Sequence, residues 1–188
     1  MAVEVAATRR RFTRSEYYRM AEVGILGRRD RVELIKGEIV EMSPVGPRHS
    51  AFVDNLTRRL ARRLPDDAIV RVQGPLALAD DTEPEPDLTV LRRRAVPYKE
   101  REAWAEDALL VIEVAESSLA YDRSTKQRLY AEAGIPEYWV VDCAAEAVEV
   151  HRDPGPEGYR EVRRLTGPAT LALLAFPDAA VTTAEIFA

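Results

Sequence analysis

The chain has 188 residues, 46% of them hydrophobic, and a formal net charge of −5. This is enough apolar material for one buried core, and the negative balance excludes a strongly basic, non-specific nucleic-acid coat. No apolar run approaches the length of a membrane span, and the single cysteine, Cys143, excludes an internal disulfide and a cysteine-based zinc site.

In chain order, residues 1–11 read as a tail. Their charge follows the apolar part and no long apolar stretch is present, so no signal peptide is expected, and a cytoplasmic setting fits the lone cysteine. Thr13 to Glu16 fits a capping box and predicts a helix to about Ile25, ended by Gly24 and Gly27. Arg31 to Met42, interrupted by Lys36-Gly37, predicts a hairpin with a glycine turn. Phe52, Leu56, Leu60 and Leu64 recur every fourth residue and predict an amphipathic helix from about His49 to Leu64.

After Pro65 the texture becomes β. Ala68 to Ala79 predicts a strand kinked at Gly74-Pro75, and Leu88–Leu91 and Ala108–Val114 are short buried strands. Residues 92–106 form a polar, mobile connection. Asp122 is placed to cap a helix from about Arg123 to Ala133, closed by Gly134 and Pro136. Further strands are expected at Glu137–Asp142, Ala147–Arg152, Tyr159–Leu165 and Leu171–Leu174, with a last helical turn at Thr183–Phe187. This order predicts one α/β (α+β) domain over residues 1–188, a mixed central sheet flanked by helices. No GxGxxG or Walker loop is present, which disfavours the common nucleotide-binding folds.

Two acids stand out. Asp87 follows Pro86 at the start of one apolar strand, and Glu113 sits inside Leu-Leu-Val-Ile-Glu-Val near the end of the next. A carboxylate in a buried strand is costly unless a charge answers it. If the strands are neighbours, both acids meet at one rim of the sheet, where hard oxygen ligands suit magnesium or manganese. The competing reading is a solvent-facing cap and a partner for an arginine.

Lysine usage adds a third residue. Of the 27 basic residues only Lys36, Lys99 and Lys126 are lysines, so a lysine on a helix hints at a need for a compact ammonium. Lys126 follows the Glu113 strand closely and could orient or deprotonate a water, or stabilise charge on a phosphate. It could equally be a surface lysine paired with Asp122. The arginine clusters at Arg58, Arg59, Arg62 and Arg63, at Arg92 to Arg94, and at Arg163 and Arg164 read first as solvated faces.

Several segments resemble the Uma-two family of the PD-(D/E)XK nuclease superfamily: Glu33 to Pro44, His49, Glu85 to Leu88, Val111 to Ser118, and Asp122-x-x-x-Lys126-x-x-x-Tyr130 running on to Asp142. The resemblance covers about residues 12–187. It implies a restriction-endonuclease-like fold and a magnesium- or manganese-dependent DNA endonuclease. Pro86-Asp87 matches the PD element and Glu113 the acidic element. Ala115 stands where the superfamily lysine is expected, and Lys126 would replace it from the following helix. On this basis Asp87, Glu113 and Lys126 are the candidate catalytic residues. The cation would be held by Asp87, Glu113 and the backbone carbonyl of Val114, with Glu33, His49 and Asp122 lining the site. For His49, capping or packing is as good a reading as ligation. DNA is the expected substrate, no membrane is involved, and a homodimer is compatible with the sequence. The alternative is a regulatory module that binds nucleic acid or protein on the same fold and cuts nothing, which the negative charge and sparse lysine favour slightly.

Overall fold

A computed structural model describes residues 9–27 and 29–188. Most of the expected tail therefore lies outside the described residues. Within its described part, Arg10 pairs with Glu16 and Arg11 donates to the Lys36 carbonyl.

Helix α1 spans Arg14–Glu22 and begins with the expected capping box, in which the Thr13 hydroxyl and the Glu16 carboxylate each accept the other residue's backbone N–H. It stops short of Ile25 because Gly24 turns left-handed at φ 79°. The hairpin β1 (Val32–Ile35) and β2 (Glu38–Glu41) turns through Lys36 and Gly37, both at positive φ. A two-residue turn of this kind matches the twist of the strands it joins.

Helix α2 (Pro47–Arg63) lays Phe52, Val53, Leu56 and Leu60 against one face of a six-stranded sheet. The strands are β3 (Ala68–Val72), β4 (Leu88–Arg92), β5 (Ala108–Ala115), β6 (Glu137–Asp142), β7 (Ala147–Gly155) and β8 (Gly158–Thr166), adjacent in that order. All neighbours run antiparallel except β5 and β6, whose parallel pairing requires a crossover. The crossover is one continuous helical run: α3 (Leu119–Tyr121), a π turn (Asp122–Lys126) and α4 (Gln127–Glu132). It covers the second face of the sheet. The short pair β9 (Thr170–Leu171) and β10 (Val181–Thr182) leads into helix α5 (Thr183–Phe187), which packs beside α2.

The sheet is buried on both faces. Trp139 points into the α2 layer with Leu56, Leu60 and Ile112, and Tyr138 points into the other with Tyr130, Ile135 and Tyr159. The alternation expected for neighbours on a strand thus has a core on either side.

Three expectations need correction. Asp122 is not a cap: the helix starts three residues earlier, and Asp122 lies within it. A helix from Arg123 would put Lys126 in its first turn, whereas Lys126 stands at the end of the π turn. The connection over residues 92–106 is held rather than loose. Trp104 bridges Ala77, and the fully buried Asp107 accepts from Arg94 (2.6 Å), Arg101 (2.9 Å) and the Trp104 N–H (3.0 Å). Burial works against that carboxylate, but these donors outweigh it and hold its pKa below the ordinary value.

The arginine clusters are mixed in character. Arg58 and Arg62 are exposed, whereas Arg63 binds Glu185 at 2.6 Å and Arg164 binds Glu149 at 2.9 Å.

Candidate active site

Strand β4 begins at Leu88, which pairs with Ile112 of β5. Asp87 therefore lies just before the paired segment and Glu113 just past it, so the two acids sit side by side at one end of neighbouring strands. The Val114 N–H donates to Asp87 Oδ2 at 2.8 Å, and the Asp87 N–H reaches Glu113 Oε2 at 3.4 Å. The N–H and C=O of one strand residue lie along the same edge, so the Val114 carbonyl also faces this end of β5.

Four other elements complete the site. Helix α2 contributes His49, whose Nε2 lies 2.9 Å from Asp87 Oδ1. Strand β1 contributes Glu33, which accepts from the Glu85 N–H at 3.2 Å. The π turn contributes Lys126, whose Nζ donates to Glu113 Oε1 at 2.9 Å and lies 3.1 Å from Glu33 Oε2. Helix α4 contributes Tyr130, whose hydroxyl donates to the same Glu113 Oε1 at 2.6 Å. Asp122 faces the cavity one helical turn before Lys126 and accepts from the Ser118 hydroxyl at 2.5 Å. All of these side chains but the fully buried Tyr130, which lies behind Glu113, border a cavity of about 310 Å³ that also exposes Arg31, Ser117 and Tyr121.

All seven positions singled out from the sequence are brought together here, Val114 among them. The pairings differ in detail from the simplest alternatives. Neither acid meets an arginine: Asp87 meets His49, and Glu113 meets Lys126. Lys126 is not on the surface with Asp122 as its partner but is 95% buried between Glu113 and Glu33. His49 does not cap α2, since its side chain is turned to Asp87 and the cap position is Gly46.

Two residues with no assigned role in the sequence reading are prominent. Tyr130 stands one helical turn after Lys126, so the spacing already placed both on one face. Tyr121 borders the cavity with a buried hydroxyl that has no hydrogen-bond partner. It shares a side with Lys126 only because the π turn closes with the Gln127 N–H on the Asp122 carbonyl, five residues back. An α-helical periodicity applied to the sequence cannot find it.

Among the described residues the electrostatics are those of a negative hole with one buried cation, Lys126, and the exposed Arg31 at its rim. Burial pushes Glu113 up to about 8, against the pull of Lys126 and aided by the charge of Asp87. Burial likewise pushes Asp122 up to about 6. Burial disfavours the Lys126 ammonium, but Glu113, Glu33 and Asp122 outweigh it and hold its pKa above the ordinary value. Four carboxyl groups thus share one ammonium. Among the described residues no group of three or more His, Cys, Asp or Glu side chains is placed to hold a metal ion. A cation here would rest on two carboxylates, a carbonyl and water, the donor set that magnesium accepts.

Comparison with known proteins agrees with the architecture. A family model described as "Uma2: Putative restriction endonuclease" matches residues 14–184. A crystal structure described as "a putative nuclease belonging to DUF820", from Anabaena variabilis ATCC 29413, is similar with a TM-score of 0.75, covering 94% of this chain and 97% of that one at 17% identity. At that identity the likeness speaks to the fold, which is restriction-endonuclease-like. No curated protein matches the sequence. The family match runs from the first residue of α1 into α5 and takes in every strand of the sheet and every residue of the cavity, so this chain belongs to the Uma2 family.

Proposed function

We propose that this protein is a nuclease, and more narrowly a magnesium- or manganese-dependent DNA endonuclease of the PD-(D/E)XK type that hydrolyses phosphodiester bonds. The observation that carries this reading is the junction of Asp87, Glu113 and Lys126 at the ends of β4 and β5, with the ammonium 2.9 Å from one acid. Family membership supports the nuclease class.

The donor set fits a hard divalent cation. Asp87 and Glu113 would hold it through oxygen, with the Val114 carbonyl as a third ligand and waters in the remaining positions. The surplus of carboxyl charge in the cavity supports the same conclusion. Such an ion supplies a water of lowered pKa and offsets charge on the phosphate.

The chain's own groups then have separable tasks. The Val114 N–H and His49 fix the plane of the Asp87 carboxylate. Lys126 and Tyr130 fix that of Glu113. Lys126 keeps its proton at neutral pH, so of the two roles open to it in the sequence it takes the electrostatic one. Two of its three protons point to Glu113 and Glu33, and the third can meet a phosphate oxygen or orient the attacking water. Arginine cannot substitute well, because a planar guanidinium does not fit the point between two buried acids.

The test is nicking of plasmid, single-stranded and branched DNA by purified protein with magnesium or manganese. Cleavage by wild type that Asp87→Ala and Glu113→Ala each abolish is expected. Activity surviving in both variants would mark a contaminating nuclease, and no cleavage of any substrate would favour a binding module on the same fold.

A further inference from the structure

Glu113 has an asymmetric set of partners. A carboxylate offers about four lone-pair sites, two on each oxygen. On Oε1 both are taken, by the Lys126 ammonium at 2.9 Å and the Tyr130 hydroxyl at 2.6 Å. Oε2 receives only the long Asp87 N–H contact at 3.4 Å. Asp87 keeps a free site on each oxygen, since Oδ1 meets only His49 and Oδ2 only the Val114 N–H. Glu113 can therefore offer a cation one oxygen and not two.

The arrangement is rigid as well as asymmetric. Tyr130 is fully buried, lies 5.0 Å from the Tyr138 ring, and belongs to the core under the second face of the sheet. Its hydroxyl cannot swing away from Glu113 without unpacking that layer. Lys126 and Tyr130 are one turn apart on the same helical run, so they approach Oε1 together.

We propose that Tyr130 is a positioning residue that selects the cation: by closing Oε1 of Glu113 it enforces one-oxygen coordination and so favours magnesium and manganese over calcium. Calcium takes six to eight oxygens and readily uses both oxygens of one carboxylate, whereas magnesium requires a compact octahedron of single oxygens and water. Blocking the second oxygen penalises calcium more. The inference rests on the metal-dependent reading of the site and deepens it.

Calorimetric titration of the full-length protein with magnesium, manganese and calcium chlorides tests this, on wild type and on Tyr130→Phe, which removes only the hydroxyl. Wild type should bind magnesium and manganese more tightly than calcium. In Tyr130→Phe a site on Oε1 is freed, so the calcium affinity should rise about tenfold, the usual scale for an outer partner of a ligand, while magnesium and manganese binding change less than about twofold. A parallel loss for all three ions would make Tyr130 a general support and overturn the proposal. Wild-type protein that binds calcium as tightly as magnesium would overturn it too, even if the variant failed to fold. Magnesium-dependent cleavage with no change of selectivity in the variant would leave the nuclease reading standing and remove this one. Wild type that bound none of the ions would remove both.

Discussion

Lys126 shows how much of the site a single residue controls. Among the described residues its ammonium is the positive group between Glu113 and Glu33, and all three are buried. Removing one partner of a buried charge set leaves the others uncompensated, at about 3–5 kcal/mol. Lys126→Ala should therefore lower the unfolding free energy read from urea denaturation by that order, as well as damage turnover. Magnesium, by restoring positive charge in the hole, should recover part of the loss. A variant as stable as wild type would mean that the acids are neutral in the folded state.

Asp122 gives a second residue-level prediction, with the opposite sign from the usual carboxylate. Its folded pKa is raised to about 6 from an ordinary 3.8 by burial, so the native state binds the proton more tightly than the unfolded one. The protonated form stabilises the fold below that window, and the contribution is lost as pH rises from about 4 to about 6. Two units correspond to about 2–3 kcal/mol. Asp122→Asn should flatten this part of the stability–pH curve, measured by thermal melts in the absence of divalent ions. An unchanged slope would show that Asp122 is not the group responsible. In the sequence these residues were partly legible. The scarcity of lysine drew attention to Lys126, and two acids in apolar strands drew attention to Asp87 and Glu113. Glu33 could be placed only by resemblance, because nothing local says that a hairpin 80 residues from the β5 strand end will close the same cavity.

Among the elements, the helical crossover between β5 and β6 is the most informative. The pattern from Asp122 to Gly134 predicted a helix correctly but gave Asp122 the wrong task, since an acid before a helical pattern reads as a cap. The extra residue of the π turn hides this: it changes which residues share a side, and no 3.6-residue pattern records it. Its consequence can be tested by deleting Ser124, an exposed residue inside the turn. The deletion should convert the segment to α-helix and keep its flanks in phase, because the five residues that close the π turn become four closing an α turn. Tyr121 and Lys126 would then stand four residues apart and still share a side, with Tyr130 still on Glu113. Helix content by circular dichroism should be retained, and cleavage should keep the order of magnitude of wild type. A loss of about a hundredfold, the scale of a small misplacement in an active site, would show that the geometry of the π turn itself is needed. Helix α2 offers a simpler case. Its four-residue periodicity was plain in the sequence, and Leu56 is indeed fully buried against the sheet. Leu56→Ala should cost about 2–5 kcal/mol with an unchanged dependence on denaturant.

At the scale of the whole molecule, the sheet explains why the site can be charged at all. Strands β4, β5 and β6 are buried on both faces and clamp the ends of the strands that bear Asp87 and Glu113. The ordered frame holds four carboxyl groups around one ammonium, a constellation that loose backbone would relax by separating them. The order of elements was legible from alternation and breakers. The pairing order was not, because β-sheet partners are chosen by long-range packing, and the parallel β5–β6 step became visible only with the helix that spans it. On the same frame rests the proposal that the ends of β4 and β5 form a cation site. Crystals soaked in manganese chloride and measured for anomalous scattering test it most directly. One peak is expected between Asp87 and Glu113, roughly 2.0–2.2 Å from a single Glu113 oxygen and from Asp87, the distance usual for such an ion. No peak at this position in well-ordered crystals, or a peak confined to other carboxylates on the surface, would contradict it.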